Sequence, residues 1–196
     1  MIIGITGGVG SGKSTVTDIL FEKYGFRVLR TDDIAKALEK PGACCYEALV
    51  KTFGESILSG PAEEESPIDN AKFAALIFND PEARKTAEAI IHPATWEYVE
   101  NAVAEDGDFA VETALPGERF RGFCDEVWFV YVEPEKRIAR LEETRGYTRE
   151  KCESIIRQQI SDEEYIALAD YILDNSGSLR EMEERVAELL KAEAAQ

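Results

Sequence analysis

Ile2-Ile3-Gly4-Ile5-Thr6-Gly7-Gly8-Val9-Gly10-Ser11-Gly12-Lys13-Ser14-Thr15, near the start of the chain, is the stretch that decides the fold. Residues 2–6 are a short β-branched run ending in glycines, which reads as a buried strand. From Lys13 to Tyr24 the apolar residues Val16, Ile19 and Leu20 recur at helical spacing, and Gly25 follows as a stop. Between them, Gly7 to Ser14 matches the pattern G-x-x-x-x-G-K-S/T. The composition has a chemical reason. Glycines let the backbone curl with its N–H groups pointing inward at an anion, and the positive end of the following helix points at the same place. Lys13 is then expected to reach the β- and γ-phosphates of a nucleotide, and the Ser14 hydroxyl to sit on Mg²⁺. Gly8, Val9, Gly10, Ser11, Gly12, Lys13, Ser14 and Thr15 are therefore the expected ATP-binding residues.

Working outward, Phe26–Leu29 reads as a second strand, followed by Arg30-Thr31-Asp32-Asp33. That completes a strand–loop–helix–strand unit of the kind that builds parallel sheets. Residues 34–53 read as helical with an interruption at Pro41-Gly42, and 59–69 (SGPAEEESPID) as a solvated acidic loop. Two helices are expected over 70–78 and 81–104, the second broken at His92-Pro93. Strand signals return at Phe109–Thr113 and strongly at Val127–Val132. A helix is expected from Pro134 and another behind Thr148, a candidate cap, through Ile155, Ile156 and Ile160. Tyr171–Leu173 reads as a last strand, Asp174–Ser178 as a turn, and Leu179–Ala192 as a charged amphipathic helix. The reading is an α/β protein: a five-stranded parallel sheet flanked by helices, with a long helical insertion after the second strand.

The 196 residues suit one domain. They carry 39 acidic against 22 basic side chains, a formal net charge of −17. Such a field disfavours nucleic acid and anionic membranes as partners, so a polyanion site must be built locally from backbone N–H groups, a few cations and a metal ion. Four cysteines without C-x-x-C spacing and a single histidine argue against zinc and for reduced thiols. No run is long enough for a signal peptide or membrane span, so a cytoplasmic protein is expected. A guanine-reading N-K-x-D segment is absent, and the length with its helical insertion favours a small-molecule kinase over a switch or motor.

Further segments carry a resemblance: IAKALEKPG after Asp33, FNDPEARKTAEAIIHP at 78–93, VWFVYVEPE with Arg140-Leu141, and ADYILDNSGS at 169–178. With the opening ITGGVGSGKST, these resemble the dephospho-CoA kinase family from Ile3 to about Ser178. The resemblance implies a P-loop kinase fold, with a core over 1–32, 106–139 and 167–196. It also implies a helical acceptor-binding part over about 33–105 and a lid over about 140–166. It implies transfer of the γ-phosphate of ATP, with Mg²⁺, to the ribose 3′-hydroxyl of dephospho-CoA, the last step of coenzyme A biosynthesis. Asp32 takes the place of the catalytic base, with Lys13 and Arg140 on the transferred group. Asn175 matches the adenine-side loop. Thr6, His92 and Glu112 join Asp32 on the acceptor side, and Glu112 is also a candidate near the metal. Ion pairing of Arg140 with Glu142 or Glu143, a helix-end role for His92, and a turn role for Asn175 stand as alternatives.

Three positions depart from the family pattern. Arg30 stands where a first acidic residue is usual. Thr144 stands where a second lid arginine is expected, with Arg145 one residue on, about 100° around a helix. Ala114-Leu115-Pro116 replaces Pro-Leu-Leu. The competing readings are a P-loop kinase for another small hydroxyl acceptor (a nucleoside, nucleotide or sugar acid) and a nucleotide-binding protein without transfer. A monomer or weak homo-oligomer is expected.

Overall fold

Ile2–Thr6 forms strand β1, and its side chains Ile3 and Ile5 are fully buried, as the apolar run requires. The computed structural model describes residues 1–61 and 66–193 and divides them into two units. One unit comprises residues 1–29 and 106–196, the other residues 30–105.

The first unit is built on a five-stranded, all-parallel sheet in the order β2-β3-β1-β4-β5. Its strands are β1, β2 (Arg27–Arg30, whose last residue is assigned to the other unit), β3 (Phe109–Thr113), β4 (Glu126–Tyr131) and β5 (Tyr171–Asp174). β1 lies between β3 and β4, with Thr6 in register with Thr113 and Phe129. The loop that leaves β1 therefore starts at the centre of the sheet's carboxyl edge, where ligands of open α/β sheets bind. Helix α1 (Lys13–Tyr24) packs on one face, with α10 (Leu179–Glu193) beside it. Val16, Ile19, Leu20, Trp128, Val130, Met182 and Val186 close this core. Each such aliphatic side chain stabilises the fold by about 1.5–3 kcal/mol on burial. Gly25 ends α1 in the left-handed region at φ 76°, and its N–H bonds the Phe21 carbonyl at 3.2 Å.

Helices α7 (Pro134–Arg145), α8 (Arg149–Arg157) and α9 (Asp162–Leu168) follow β4. Thr148 caps α8, its hydroxyl accepting the Lys151 N–H, as read from sequence. α9 and the short α6 (Glu118–Phe123) were not anticipated. α9 opens with a full capping box, Ser161 with Glu164, the one local signal that announces it.

The second unit is helical: α2 (Thr31–Leu38), α3 (Tyr46–Phe53), α4 (Asn70–Asn79) and α5 (Pro81–Val103), with a 3₁₀ turn at Gly54–Ile57. Leu49, Ile57, Leu58, Phe73, Ala87 and Ile91 form its separate core. The interruption expected at Pro41-Gly42 is present, residues 39–45 forming turns and bends between α2 and α3. One expectation is corrected here. The break expected at His92-Pro93 does not occur: α5 runs unbroken through Pro93. Ala87 and Ile91 anchor α5 in the core, and Thr95 donates back to the Ile91 carbonyl at 2.9 Å, so packing outweighs the hydrogen bond that proline cannot make. Of the acidic loop read over 59–69, residues 62–65 lie outside the described residues, as do the last three residues, 194–196.

The four cysteines are free: Cys44 is exposed, while Cys45, Cys124 and Cys152 are buried. Burial pushes the Cys45 and Cys124 thiols up to about 12. Among the described residues no helix is long and apolar enough to cross a membrane, and no three His, Cys, Asp or Glu side chains cluster as metal ligands do.

Candidate functional site

The loop between β1 and α1 turns back on itself through three glycines with positive φ, Gly7 (145°), Gly10 (79°) and Gly12 (88°). Gly12 is the N-cap of α1 and has no side chain with which to cap it. The positive end of that helix suits an anion. Lys13 arches over the loop, its Nζ donating to the Gly7 and Gly8 carbonyls at 3.0 and 3.4 Å. Among the described residues two buried hydroxyls have no hydrogen-bond partner, Thr6 Oγ1 at the end of β1 and Ser11 Oγ in the loop. Unpaired buried hydroxyls are uncommon, and two at one loop mark a place that a polar ligand or its water completes.

The carboxylate of Glu112, from β3, faces the start of α1. Ser14 Oγ donates to Glu112 Oε1 at 3.5 Å and Thr17 Oγ1 to Glu112 Oε2 at 3.3 Å. Hydroxyl and carboxylate oxygens at this spacing are the hard donors that Mg²⁺ takes, in a small number that leaves room for phosphate and water.

On the other side of the loop, Asn175 in the turn after β5 is buried, and its Nδ2 donates to the Ser11 carbonyl at 2.9 Å. A Cβ on Gly12 would stand 2.0 Å from that nitrogen, so Gly12 is fixed by close approach as well as by φ. Arg140 Nη2 donates to the Asn175 carbonyl at 2.7 Å, rather than pairing with Glu142 or Glu143. Thr144 turns its hydroxyl inward to the Arg140 carbonyl at 2.6 Å, and Arg145 is exposed at the end of α7. The Ala114 carbonyl accepts from the buried Tyr165 hydroxyl at 2.8 Å, which ties the departing segment after β3 to α9.

Thus Thr6, residues 8–15, Glu112, Arg140 and Asn175 come together in the first unit. Asp32 and His92 belong to the second, both exposed, Asp32 in the first turn of α2 and His92 on α5. That unit also holds a cavity of about 480 Å³ lined by Asp33, Lys36, Glu39, Lys40, Ile68 and Asn70, with the Glu39 carboxyl raised above 4.5 by burial.

Sequence reasoning missed Arg137. Its guanidinium is buried against the loop, Nε donating to the Val9 carbonyl at 2.6 Å and Nη2 to Gln159 Oε1. Gln159 Oε1 in turn accepts the Val9 N–H at 3.1 Å. The only local clue is an arginine one turn before Arg140, which on its own reads as surface charge.

A parallel sheet of this order with a glycine-rich loop between its central strand and first helix defines a P-loop kinase. A solved shikimate kinase from Acinetobacter baumannii shares the fold, with a TM-score of 0.57 at 16% identity over 100% of this chain and 95% of that one. The chain belongs to the dephospho-CoA kinase family, whose model matches residues 1–181. Dephospho-CoA kinases of Geobacter sulfurreducens and Carboxydothermus hydrogenoformans are 36% and 33% identical to it. Those alignments cover 96% and 97% of this chain and 96% and 93% of the respective relatives. The crystal structure of TT1252 from Thermus thermophilus superposes with a TM-score of 0.80 at 31% identity, over 98% of this chain and 97% of that one. The family makes the chain an ATP-dependent kinase acting on a hydroxyl group.

Proposed function

We propose that this chain transfers the γ-phosphate of ATP to the ribose 3′-hydroxyl of dephospho-CoA, with the residues above in the following roles. The observation that carries the site is the loop from Gly7 to Ser14, with a helix start that its N-cap glycine leaves without a side-chain cap and the buried, unpartnered hydroxyls of Thr6 and Ser11. In our reading the loop N–H groups hold the β- and γ-phosphates, and Lys13 exchanges its two carbonyl contacts for phosphate oxygens. Ser14 and Glu112 would hold Mg²⁺, which when bound supplies positive charge to the β- and γ-oxygens. Asn175 backs the loop and faces the adenine side.

Asp32 serves as the base. Its carboxylate takes the proton of the 3′-hydroxyl as the ribose oxygen bonds to the γ-phosphorus, while the bond to the β–γ bridging oxygen breaks and ADP leaves. Arg140 neutralises charge on the transferred group. His92 and the cavity beside Lys36 and Lys40 serve the acceptor, whose diphosphate the two ammonium groups would meet in an otherwise acidic chain. Residues 140–166 act as the lid, residues 33–105 as the acceptor part, and the protein works in the cytoplasm as a monomer or weak homo-oligomer. The test is incubation with ATP, Mg²⁺ and dephospho-CoA. A product heavier by one phosphate is expected, and ATP binding without that mass gain would refute the acceptor.

A further inference from the structure

Val9, at the tip of the glycine loop, has both of its backbone polar groups taken by side chains that lie far away in sequence. Its N–H goes to Gln159 Oε1 at 3.1 Å and its C=O accepts from Arg137 Nε at 2.6 Å. Arg137 and Gln159 also bond to each other, which closes a ring of three contacts around one residue. The Val9 side chain continues the attachment, packing with Ile138, Leu141, Cys152 and Ile156 between α7 and α8. Gly10 lies against Leu141 and the Arg137 stem.

Gly8 carries the second, independent observation. Its φ is not positive, so its backbone does not by itself demand glycine. A Cβ there would stand 1.9 Å from Arg137 Nη2, 2.4 Å from Cζ and 2.7 Å from Nη1. The guanidinium thus occupies the position where any Gly8 side chain would project. Arg137 is 8% exposed, and among the described residues it forms no ion pair with a carboxylate. Burial holds its pKa below the ordinary arginine value. Asp162 and Tyr165 face it only at longer range. A buried guanidinium bonded only to neutral oxygens retains unspent charge and free donors, and here it retains them against the loop that would receive phosphate.

We infer that Arg137 and Gln159 are positioning residues for phosphate-donor binding: they clamp Val9 from both sides, hold the loop's tip to α7 and α8, and set its receptive curve. Gly8 is the glycine that admits the guanidinium. This rests on the reading of the loop as the ATP site. It adds that the loop's shape is imposed from α7 and α8, so that nucleotide affinity depends on residues that need not touch the nucleotide.

The test uses the full chain with four variants: Arg137→Met, Arg137→Lys, Gln159→Leu and the double Arg137→Met/Gln159→Leu. Each is measured for ATP dissociation constant, KM for ATP, KM for the acceptor, and kcat. A lost hydrogen bond to a charged group corresponds to about 10- to 100-fold in affinity. Arg137→Met is expected to weaken ATP by that factor with the acceptor KM within about twofold, and Arg137→Lys to recover part of the loss. Gln159→Leu is expected to show a smaller loss of the same kind. The double variant should bind ATP about as Arg137→Met does, because both residues act through Val9. An unchanged ATP affinity in Arg137→Met, equal losses for ATP and acceptor, or full additivity in the double variant would each overturn the inference. Should Arg137→Met not fold, Gln159→Leu and Arg137→Lys read the same clamp. If the wild-type chain does not bind ATP, the reading of the loop itself fails; if it binds ATP and the variants match it, only the clamp fails.

Discussion

In the proposed reaction Lys13 and Asp32 divide the chemistry between two residues that can be tested apart. Lys13 already bonds two loop carbonyls, so its ammonium is held over the place where phosphate oxygens would arrive. Lys13→Ala is expected to weaken ATP by about tenfold or more, read as a rise in the ATP dissociation constant by calorimetry. Asp32→Asn keeps the shape and removes the proposed base. It is expected to lower kcat by about 10²- to 10⁴-fold while the ATP dissociation constant stays within about twofold. Equal losses in both quantities would reassign Asp32 to a structural role. At this scale, what sequence could reveal was what sits in one short motif. Lys13 and Ser14 come with their glycines, and Asn175 with its turn. Arg137 and Gln159 carry no such tag, because their partner Val9 is 128 and 150 residues away along the chain. Only folding brings them to it.

Helices α8, α9 and α10 each hold a first-turn glutamate whose pKa lies below 4.5. Glu150 and Glu163 accept from their own backbone N–H and from Thr148 and Ser161, and Glu181 accepts from the Ser178 N–H and hydroxyl. A carboxylate depressed in the folded state stabilises it above the unfolded pKa and loses that contribution as pH falls through the folded value. Stability is therefore expected to decline below about pH 4.5, with a shallower decline in Glu181→Gln, as followed by urea unfolding across pH. α5 offers an opposite test. Pro93 is exposed and interior to the helix, so Pro93→Ala removes little packing and restores an N–H donor. The midpoint of urea unfolding should rise, by up to about 3 kcal/mol in stability. A fall would mean that proline has a role in the native state beyond helix geometry. The element boundaries read from sequence were good where a glycine or proline punctuates the chain, as at Gly25 and Pro134. They failed at Pro93 because local propensity cannot foresee how firmly Ala87 and Ile91 are held in a core. α6 was missed for the reverse reason: six residues carry too little periodicity to announce a helix.

Each of the two units has its own hydrophobic core and one of the chain's two tryptophans. Trp128 is fully buried in the sheet, and Trp96 is half-buried on α5. They are the chain's two tryptophans, so Trp96→Phe leaves fluorescence reporting on the sheet alone. ATP at about 100 times its dissociation constant adds about 2.7 kcal/mol to the state that binds it. The Trp128 melting midpoint should therefore rise by several degrees with ATP and Mg²⁺. No shift at saturating ATP would mean that the loop is not the nucleotide site. A net charge of −17 adds a global effect: moderate neutral salt should stabilise the fold by screening self-repulsion, while weakening the capture of polyanions.

Of the four thiols, three are buried, two of them with pKa about 12, and Cys44 alone is exposed. The molecule therefore carries a single natural address for a dye, on the helical unit and away from the glycine loop in sequence. A maleimide at neutral pH should attach once to the folded chain and four times after unfolding in denaturant, as counted by mass. The environment of that label on adding dephospho-CoA would then report acceptor binding in real time, with no engineered cysteine and no native thiol removed.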